Sequence, residues 1–200
     1  KKLIAKAKAF SPDLMAFSAE ANMFPYVKQY AKVIKEELDI PTIIGGLHAT
    51  ALPEYVIAHE QFDMLCRGEG EIPMLELCNK MEQGKDYSDV PSLWVKKKDG
   101  TLVKNEMAHL VDDIDQLPYP DRDLFYKYNA FSHHLLIMGS RGCKFRCSYC
   151  HNSFQHDLYK GNGKWVRRRK VDRLIDEIQW ARKRYPIKAI EFEDECFTDE

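Results

Sequence analysis

The sequence predicts an α/β fold built in two parts, and three observations support this prediction. Short apolar runs alternate with helical patterns from residue 12 to residue 83, which is typical of a parallel sheet with helices on both faces. Strand-like runs on either side of a DG turn follow, and then a segment with two closely spaced prolines. After that segment the order of elements is again strand, loop, helix and strand.

The first part contains three predicted strands separated by helices. The strands are PDLMAFS at 12–18, PTIIGG at 41–46 and FDMLCRG at 62–68. Apolar residues recur at helical spacing between the first two strands, from Val27 to Leu38. Two further helices are predicted in LPEYVIAHE, with a proline in its first turn, and in EGEIPMLELCNKME, with acidic residues near its start.

The change of pattern at Gly84 sets the predicted domain boundaries. A first domain spans 1–83, a hairpin and proline-rich linker spans 84–130, and a second domain spans 131–200. The linker contains LPYPDRDLF, whose prolines favour a rigid extended backbone. Because the chain does not begin with Met and ends shortly after a predicted strand, we expect both domains to be truncated.

The composition argues against several classes of partner. Apolar residues make up 44% of the 200 positions, charged residues 30%, and the net charge is −1, which favours neither nucleic acid nor an anionic membrane as a partner. No apolar run approaches the ~20 residues of a membrane span, and no secretory signal is present. We therefore expect a reducing cytoplasm, where disulfides are rare, and we expect Cys66 and Cys78 to be small buried apolar residues.

The stretch GSRGCKFRCSYCHN places Cys143, Cys147 and Cys150 within eight positions. His151 would complete a zinc site, but four ligands in nine residues are geometrically cramped. The CSYCH sequence matches covalent haem attachment, which leaves Cys143 without a role, and disulfides conflict with a reducing compartment. Three thiolates from one tight loop also suit an iron–sulfur cluster with one open iron, and we favour this interpretation.

The C-x3-C-x-aromatic-C spacing after a strand resembles the signature of radical S-adenosylmethionine (SAM) enzymes. The resemblance implies a 4Fe–4S cluster on the three cysteines, with SAM on the open iron and one-electron cleavage to a 5′-deoxyadenosyl radical. It also implies that Tyr149 lies against the adenine of SAM. The segment FEDECF resembles the acidic segment that approaches the SAM amino group in this family, a role for Asp194 or Glu195.

Three consecutive arginines, Arg167, Arg168 and Arg169, precede the last predicted helix. We interpret them as part of a solvated loop. The alternative is that they contact the SAM carboxylate or an anionic substrate.

The segments PDLMAFS, IPTIIGGLHAT, DMLCRGEGE and LPYPDRDLF, ahead of the cysteine loop, together resemble cobalamin-binding radical SAM proteins. The resemblance covers about residues 10–200. It implies a Rossmann-like (flavodoxin-like) parallel-sheet domain followed by the start of a partial (β/α) radical SAM barrel. It also implies that Ser18, Gly45 and Gly46 flank the nucleotide tail of the cobalamin. Four further residues are expected only to lie near the ligand: His48, Thr50, Glu69 and Gly70.

One feature of many cobalamin domains does not occur in this sequence. The D-x-H-x-x-G motif, whose histidine ligates cobalt, is missing, so no cobalt ligand is assigned.

The resemblance implies methyl transfer to an unactivated carbon or phosphorus centre, or a related radical rearrangement or cyclisation. A small-molecule substrate and a one-electron reductant such as flavodoxin or ferredoxin would be the partners, and no catalytic side chain is assigned. One alternative is a radical SAM methylthiotransferase, which needs a third cysteine in the first domain. Another is a non-catalytic zinc or iron–sulfur binding module. Because half of the barrel is missing, we expect the 200-residue chain alone to be inactive and to expose sheet edge and apolar surface.

Overall fold

The computed structural model describes residues 2–128 and 133–198. The chain divides into two compact units, Lys1–Ala108 and His109–Glu200. The predicted boundaries differ from this division: the one at 83 lies inside the first unit, and the one at 130 lies outside the described residues. The first unit extends to Ala108 because the hairpin that we placed in the linker is part of its sheet.

The first unit alternates strands and helices, as predicted, before it ends in the hairpin. Leu52 separates two short helices where one was predicted, because Pro53 has no N–H to continue a helix from the preceding turn. The elements are α1 (Lys2–Phe10), β1 (Met15–Ser18), α2 (Phe24–Leu38), β2 (Thr42–Gly45), α3 (Leu47–Ala51), α4 (Pro53–Ile57), β3 (Met64–Cys66), α5 (Glu71–Glu82), β4 (Leu93–Lys96) and β5 (Leu102–Lys104).

The sheet of the first unit has five strands in the order β1-β2-β3-β4-β5. The first three strands are parallel, with Ser18 opposite Gly45, and the hairpin adds β4 and β5 in antiparallel orientation. The predicted α/β class is therefore confirmed, and β3 becomes an internal strand.

Both faces of this sheet are buried. Successive side chains of a strand point to opposite faces, so Ile43 and Met64 belong to one apolar cluster while Ile44 and Leu65 belong to another. The second cluster is completed by α2, and the first by Leu77 of α5. Burial on both faces explains why the strands are continuous apolar runs in the sequence.

The second unit shows the predicted order of strand, loop, helix and strand. Strands β6 and β9 are parallel, and Leu135 and Ile137 of β6 pack against α8, while all four residues of β9 are exposed. The elements are a 3-10 helix (Ile114–Gln116), α6 (Arg122–Lys127), β6 (His134–Ile137), β7 (Ser140–Arg141), α7 (His151–Leu158), β8 (Arg167–Arg168), α8 (Val171–Arg184) and β9 (Ala189–Phe192). Within the described ranges, no helix is long and apolar enough to cross a membrane.

Candidate cofactor sites

A cavity of about 400 Å³ lies where β1, β2 and β3 end. Carboxyl ends of parallel strands meet at one edge of a sheet, and open α/β sheets bind ligands there. The structure brings four of the predicted cobalamin residues together around this cavity: Ser18, Gly45, Gly46 and Gly70.

Gly46 is held against the end of the first strand. Its φ of +90° lies in the region that favours glycine, and a Cβ there would be 2.8 Å from the backbone N and O of Ala19 and from Ser18 Oγ. Gly46 was expected to flank the cobalamin tail, and it does line the cavity, but on the side where a Cβ would point the space is filled by the chain itself. A Cβ on Gly45 would meet the Cys66 carbonyl oxygen at 3.6 Å, an ordinary contact.

His48 does not line the cavity but lies in an aromatic cluster beside it. The centroid of its ring is 4.4 Å from that of Phe24 and 6.1 Å from that of Tyr55. The Nε2 atom of His48 is buried and neither donates nor accepts a hydrogen bond. Burial also lowers the pKa of the imidazole. Glu69, also predicted near the ligand, is half-buried in the loop between β3 and α5, beside the cavity-lining Gly70.

Gly68 and Cys66 are among the cavity-lining residues that were not assigned to the site from the sequence. Gly68 lines the cavity between Cys66 and Gly70, and the glycine-rich RGEGE segment is the signal that identifies it. Cys66 is buried, as predicted, and also lines the cavity. Burial and the nearby Glu71 raise the pKa of the Cys66 thiol to about 12, so it is a neutral group at physiological pH. Cys78, predicted to be buried, is exposed on α5 because the adjacent Leu77 faces the core.

The cysteine loop of the second unit connects β7 to α7. Cys143 and Cys150 are half-buried, Cys147 is exposed, and all three are free thiols. The Cys150 amide donates to the Cys147 carbonyl at 3.1 Å, which closes a turn directly before α7. Ser153 Oγ donates to the same carbonyl at 2.8 Å. The spacing of the last two cysteines thus corresponds to one compact turn.

The start of this loop is anchored by an aromatic side chain from outside it. Trp165 Nε1 donates to the Cys143 carbonyl at 3.0 Å. A Cβ at Gly142, whose φ is +81°, would collide with the Trp165 carbonyl oxygen. The role of Trp165 has no signal in the sequence, since 22 residues separate it from Cys143.

The donor chemistry of the loop fits an iron–sulfur cluster, although the thiols are not gathered around one point. Among residues 2–128 and 133–198, no three His, Cys, Asp or Glu side chains form a group that could hold a metal ion. Three thiols on one eight-residue turn, without a disulfide, are nevertheless the ligand type that binds iron–sulfur clusters. Tyr149, next to Cys150, is 91% exposed.

Asp194 ties the end of β9 to the entrance of the cysteine loop. Its carboxylate accepts the Gly139 amide at 3.0 Å and a short hydrogen bond from the Ser140 hydroxyl. Both oxygens of Asp194 are therefore engaged by the chain, while Glu195, the other residue predicted near the SAM amino group, is exposed.

The prediction of a solvated loop is wrong for two of the three arginines. Arg167 is 1% exposed, and its guanidinium donates to the Val111 carbonyl at 3.2 Å. Arg169 lies 2.6 Å from the Glu177 carboxylate, which also pairs with Arg122 at 2.6 Å. These partners are distant in sequence, so a local pattern could not identify them.

The comparisons with known proteins concern the domain and the fold of the chain. Residues 1–78 match the family model for the B12 binding domain. The chain is 32% identical to an uncharacterized methyltransferase of Pyrococcus horikoshii, over 96% of this chain and 41% of that protein. It is 27% identical to an anaerobic magnesium-protoporphyrin IX monomethyl ester cyclase of Rubrivivax gelatinosus, over 95% of this chain and 35% of that protein. The chain thus spans less than half the length of these relatives.

A solved structure shows the same fold. The cobalamin-dependent SAM radical enzyme OxsB, with aqua-cobalamin and SAM bound, superimposes with a TM-score of 0.75 at 21% identity. The match covers all of this chain and 28% of OxsB. The domain match over residues 1–78, the sequence relatives and this fold all make the chain similar to cobalamin-binding radical SAM proteins.

Proposed function

We propose that this chain is part of a radical SAM enzyme that transfers a methyl group to an unactivated carbon or phosphorus centre, or performs a related radical rearrangement or cyclisation. The observation that carries the proposal is the anchored three-cysteine loop after β6, in a chain whose first unit is a B12 binding domain. The names of the two relatives, a methyltransferase and a cyclase, span the same range of reactions.

In this proposal, the cysteine loop holds a 4Fe–4S cluster through Cys143, Cys147 and Cys150. When bound, the cluster supplies the electron that cleaves SAM, and cobalamin supplies the methyl group. The protein orients these groups. Trp165 fixes the start of the loop, and the exposed ring of Tyr149 is available to pack against adenine.

The two acidic residues after β9, Asp194 and Glu195, have different roles in this proposal. Asp194 holds the entrance of the cysteine loop through two hydrogen bonds. Glu195 does not take part in these bonds and accepts a hydrogen bond from the SAM ammonium group.

The first unit holds cobalamin at the carboxyl ends of its parallel strands. Ser18, Gly45, Gly46 and Gly70 surround the nucleotide tail, and Glu69 lies at the rim. His48 supports the α3 end of the cavity from the aromatic cluster and is not a cobalt ligand.

The charge of the second site fits an acidic reductant. Residues 139–170 contain nine Lys and Arg residues and a single acidic residue, Asp157, although the whole chain has a net charge of −1. Two of the arginines, Arg167 and Arg169, are engaged inside the unit, but lysines such as Lys160 and Lys164 are exposed. Such a surface attracts an acidic electron carrier such as a flavodoxin or ferredoxin. We also propose that the reaction takes place in the cytoplasm, because a reducing compartment keeps the three thiols available for the cluster.

The two alternatives receive less support from the structure. A methylthiotransferase needs three cysteines in its first domain, whereas this unit has Cys66 buried in β3 and Cys78 exposed on α5. A binding module without turnover would explain the cysteine loop but not the cavity of the B12 binding domain.

Anaerobic cluster reconstitution of the intact protein tests the proposal. We expect about four irons per chain, and an electron paramagnetic resonance signal of the reduced protein that changes when SAM is added. Aquacobalamin should bind in a parallel absorbance titration. Zinc without iron would refute the cluster and favour the binding module, and iron without a response to SAM would refute the open coordination position.

A further inference from the structure

Thr50 occupies an unusual position beneath the cavity of the first unit. It lies in α3 and is 3% exposed. Its Oγ1 donates to the Gly46 carbonyl at 2.9 Å, and the Gly68 amide donates to the same Oγ1 at 2.9 Å. One hydroxyl therefore links the loop after β2 to the loop after β3.

These two loops form much of the cavity wall. Gly46 and Gly68 both line the cavity, together with Gly45 and Gly70. The Thr50 amide also donates to the Gly46 carbonyl, at 3.0 Å, so this carbonyl receives both polar hydrogens of Thr50. The bond from Gly68 then fixes the distance between the two loops.

A simpler explanation accounts for only part of this arrangement. Threonine in a helix commonly donates to the carbonyl four residues earlier, and Gly46 is at that distance from Thr50. Such a bond needs no acceptor role for the hydroxyl. Here the hydroxyl also accepts a hydrogen bond from a backbone amide that is 18 residues away in sequence and belongs to the loop after β3.

We propose that Thr50 is a positioning residue that sets the spacing of the two glycine loops and thereby shapes the cavity for the cobalamin tail. The cobalamin part of this inference rests on the proposed function. The link between the loops rests on the hydrogen bonds alone, so it can be tested without a ligand.

The chain offers a matched control in Thr42. This threonine is also buried, and as the first residue of β2 it lies at the end of the strand opposite the cavity. Its Oγ1 donates to the Gln61 carbonyl at 2.6 Å and does not contact the cavity loops. Thr42→Val therefore removes a comparable buried hydroxyl from the same sheet.

The experiment compares Thr50→Val, Thr50→Ser and Thr42→Val in the intact protein. Without ligand, hydrogen exchange of the Gly68 amide should accelerate about tenfold in Thr50→Val. The variant loses the hydrogen bond from this amide to the Thr50 hydroxyl, and a tenfold change corresponds to about 1.4 kcal/mol, the size of one such bond. Exchange should be unchanged in Thr50→Ser, which keeps the hydroxyl. Aquacobalamin affinity, from an absorbance titration, should fall by about tenfold in Thr50→Val and by less than about twofold in the other two variants.

The outcomes separate this inference from the proposed function. Wild-type affinity in Thr50→Val, or an equal loss in Thr42→Val, would overturn the positioning role. If the wild-type protein does not bind aquacobalamin, the proposed function fails, and Gly68 exchange still decides whether Thr50 couples the loops. Unchanged Gly68 exchange in Thr50→Val would refute that coupling.

Discussion

Alanine substitutions at the two adjacent glycines after β2 should have very different effects on stability. At Gly46, φ is +90° and ψ is −179°, a region of backbone conformation that is essentially confined to glycine and costs another residue about 1–3 kcal/mol. The new Cβ would also meet three atoms of Ser18 and Ala19 at 2.8 Å, and overpacking of this kind costs about 1–3 kcal/mol more. We therefore expect Gly46→Ala to lower the free energy of unfolding by about 2–6 kcal/mol.

Gly45→Ala is the matched control for this substitution. Its Cβ would have ordinary contacts, at 3.6 Å and 3.8 Å from Cys66, so we expect a change in stability within about 1 kcal/mol. Thermal unfolding of the intact protein gives the comparison, and Gly46→Ala should lower the Tm of the first unit by at least about 8 °C. Hydrogen exchange of the β1–β3 amides assigns the transition to this unit. Equal stability of the two variants would refute the close packing of Gly46 against the first strand.

Three further predictions concern the cysteine loop and pH. Cys147→Ala should abolish iron incorporation after anaerobic reconstitution, whereas Cys78→Ala, at an exposed cysteine outside the loop, should retain it; equal iron contents would contradict the assignment. Asp194→Ala should accelerate hydrogen exchange at the entrance of the cysteine loop, because two donors lose their acceptor, and unchanged exchange would exclude this anchoring role. Burial lowers the pKa of both His48 and His59 in the folded state, so below about pH 6.5 the unfolded chain binds more protons and stability falls. Urea unfolding at roughly pH 7.5 and pH 5.5 should show this loss, and the double substitution of both histidines by Gln should reduce it, whereas an identical loss would assign the effect to other groups.

Much of the fold could be predicted because the relevant signals are local. The strands of the first unit are apolar runs bounded by Pro, Gly or charged residues, and the structure contains strands within 12–18, 41–46 and 62–68. The resemblance to cobalamin-binding proteins implied that Ser18 and Gly70 lie near one ligand, and both line the same cavity. They come together because the residues after parallel strands share one edge of the sheet.

The features that sequence reasoning missed depend on partners far along the chain. The DG turn predicted a hairpin, but only the pairing of Leu93 with Cys66 places it in the first unit. Arg167 and Arg169 were predicted to be solvated because their partners come from other segments of the chain. Arg167 donates to a backbone carbonyl and Arg169 pairs with two carboxylates. For Gly46, the close contact with Ser18 and Ala19 involves residues at the end of another strand and leaves no local signal in the sequence.

The hairpin also determines which part of the chain can be isolated as an independent piece. The B12 binding domain match ends at residue 78, yet β3 is hydrogen-bonded to β4 on its far side. A fragment ending at 78 would leave Met64–Cys66, three buried apolar residues, as an open sheet edge, which invites pairing between molecules and aggregation. In the complete unit the edge strand on this side of the sheet is instead β5, which has three residues and ends at the exposed Lys104. A fragment that ends at Ala108 therefore has this edge protected, and we expect its solubility to depend on the hairpin as much as on the segment that matches the B12 binding domain.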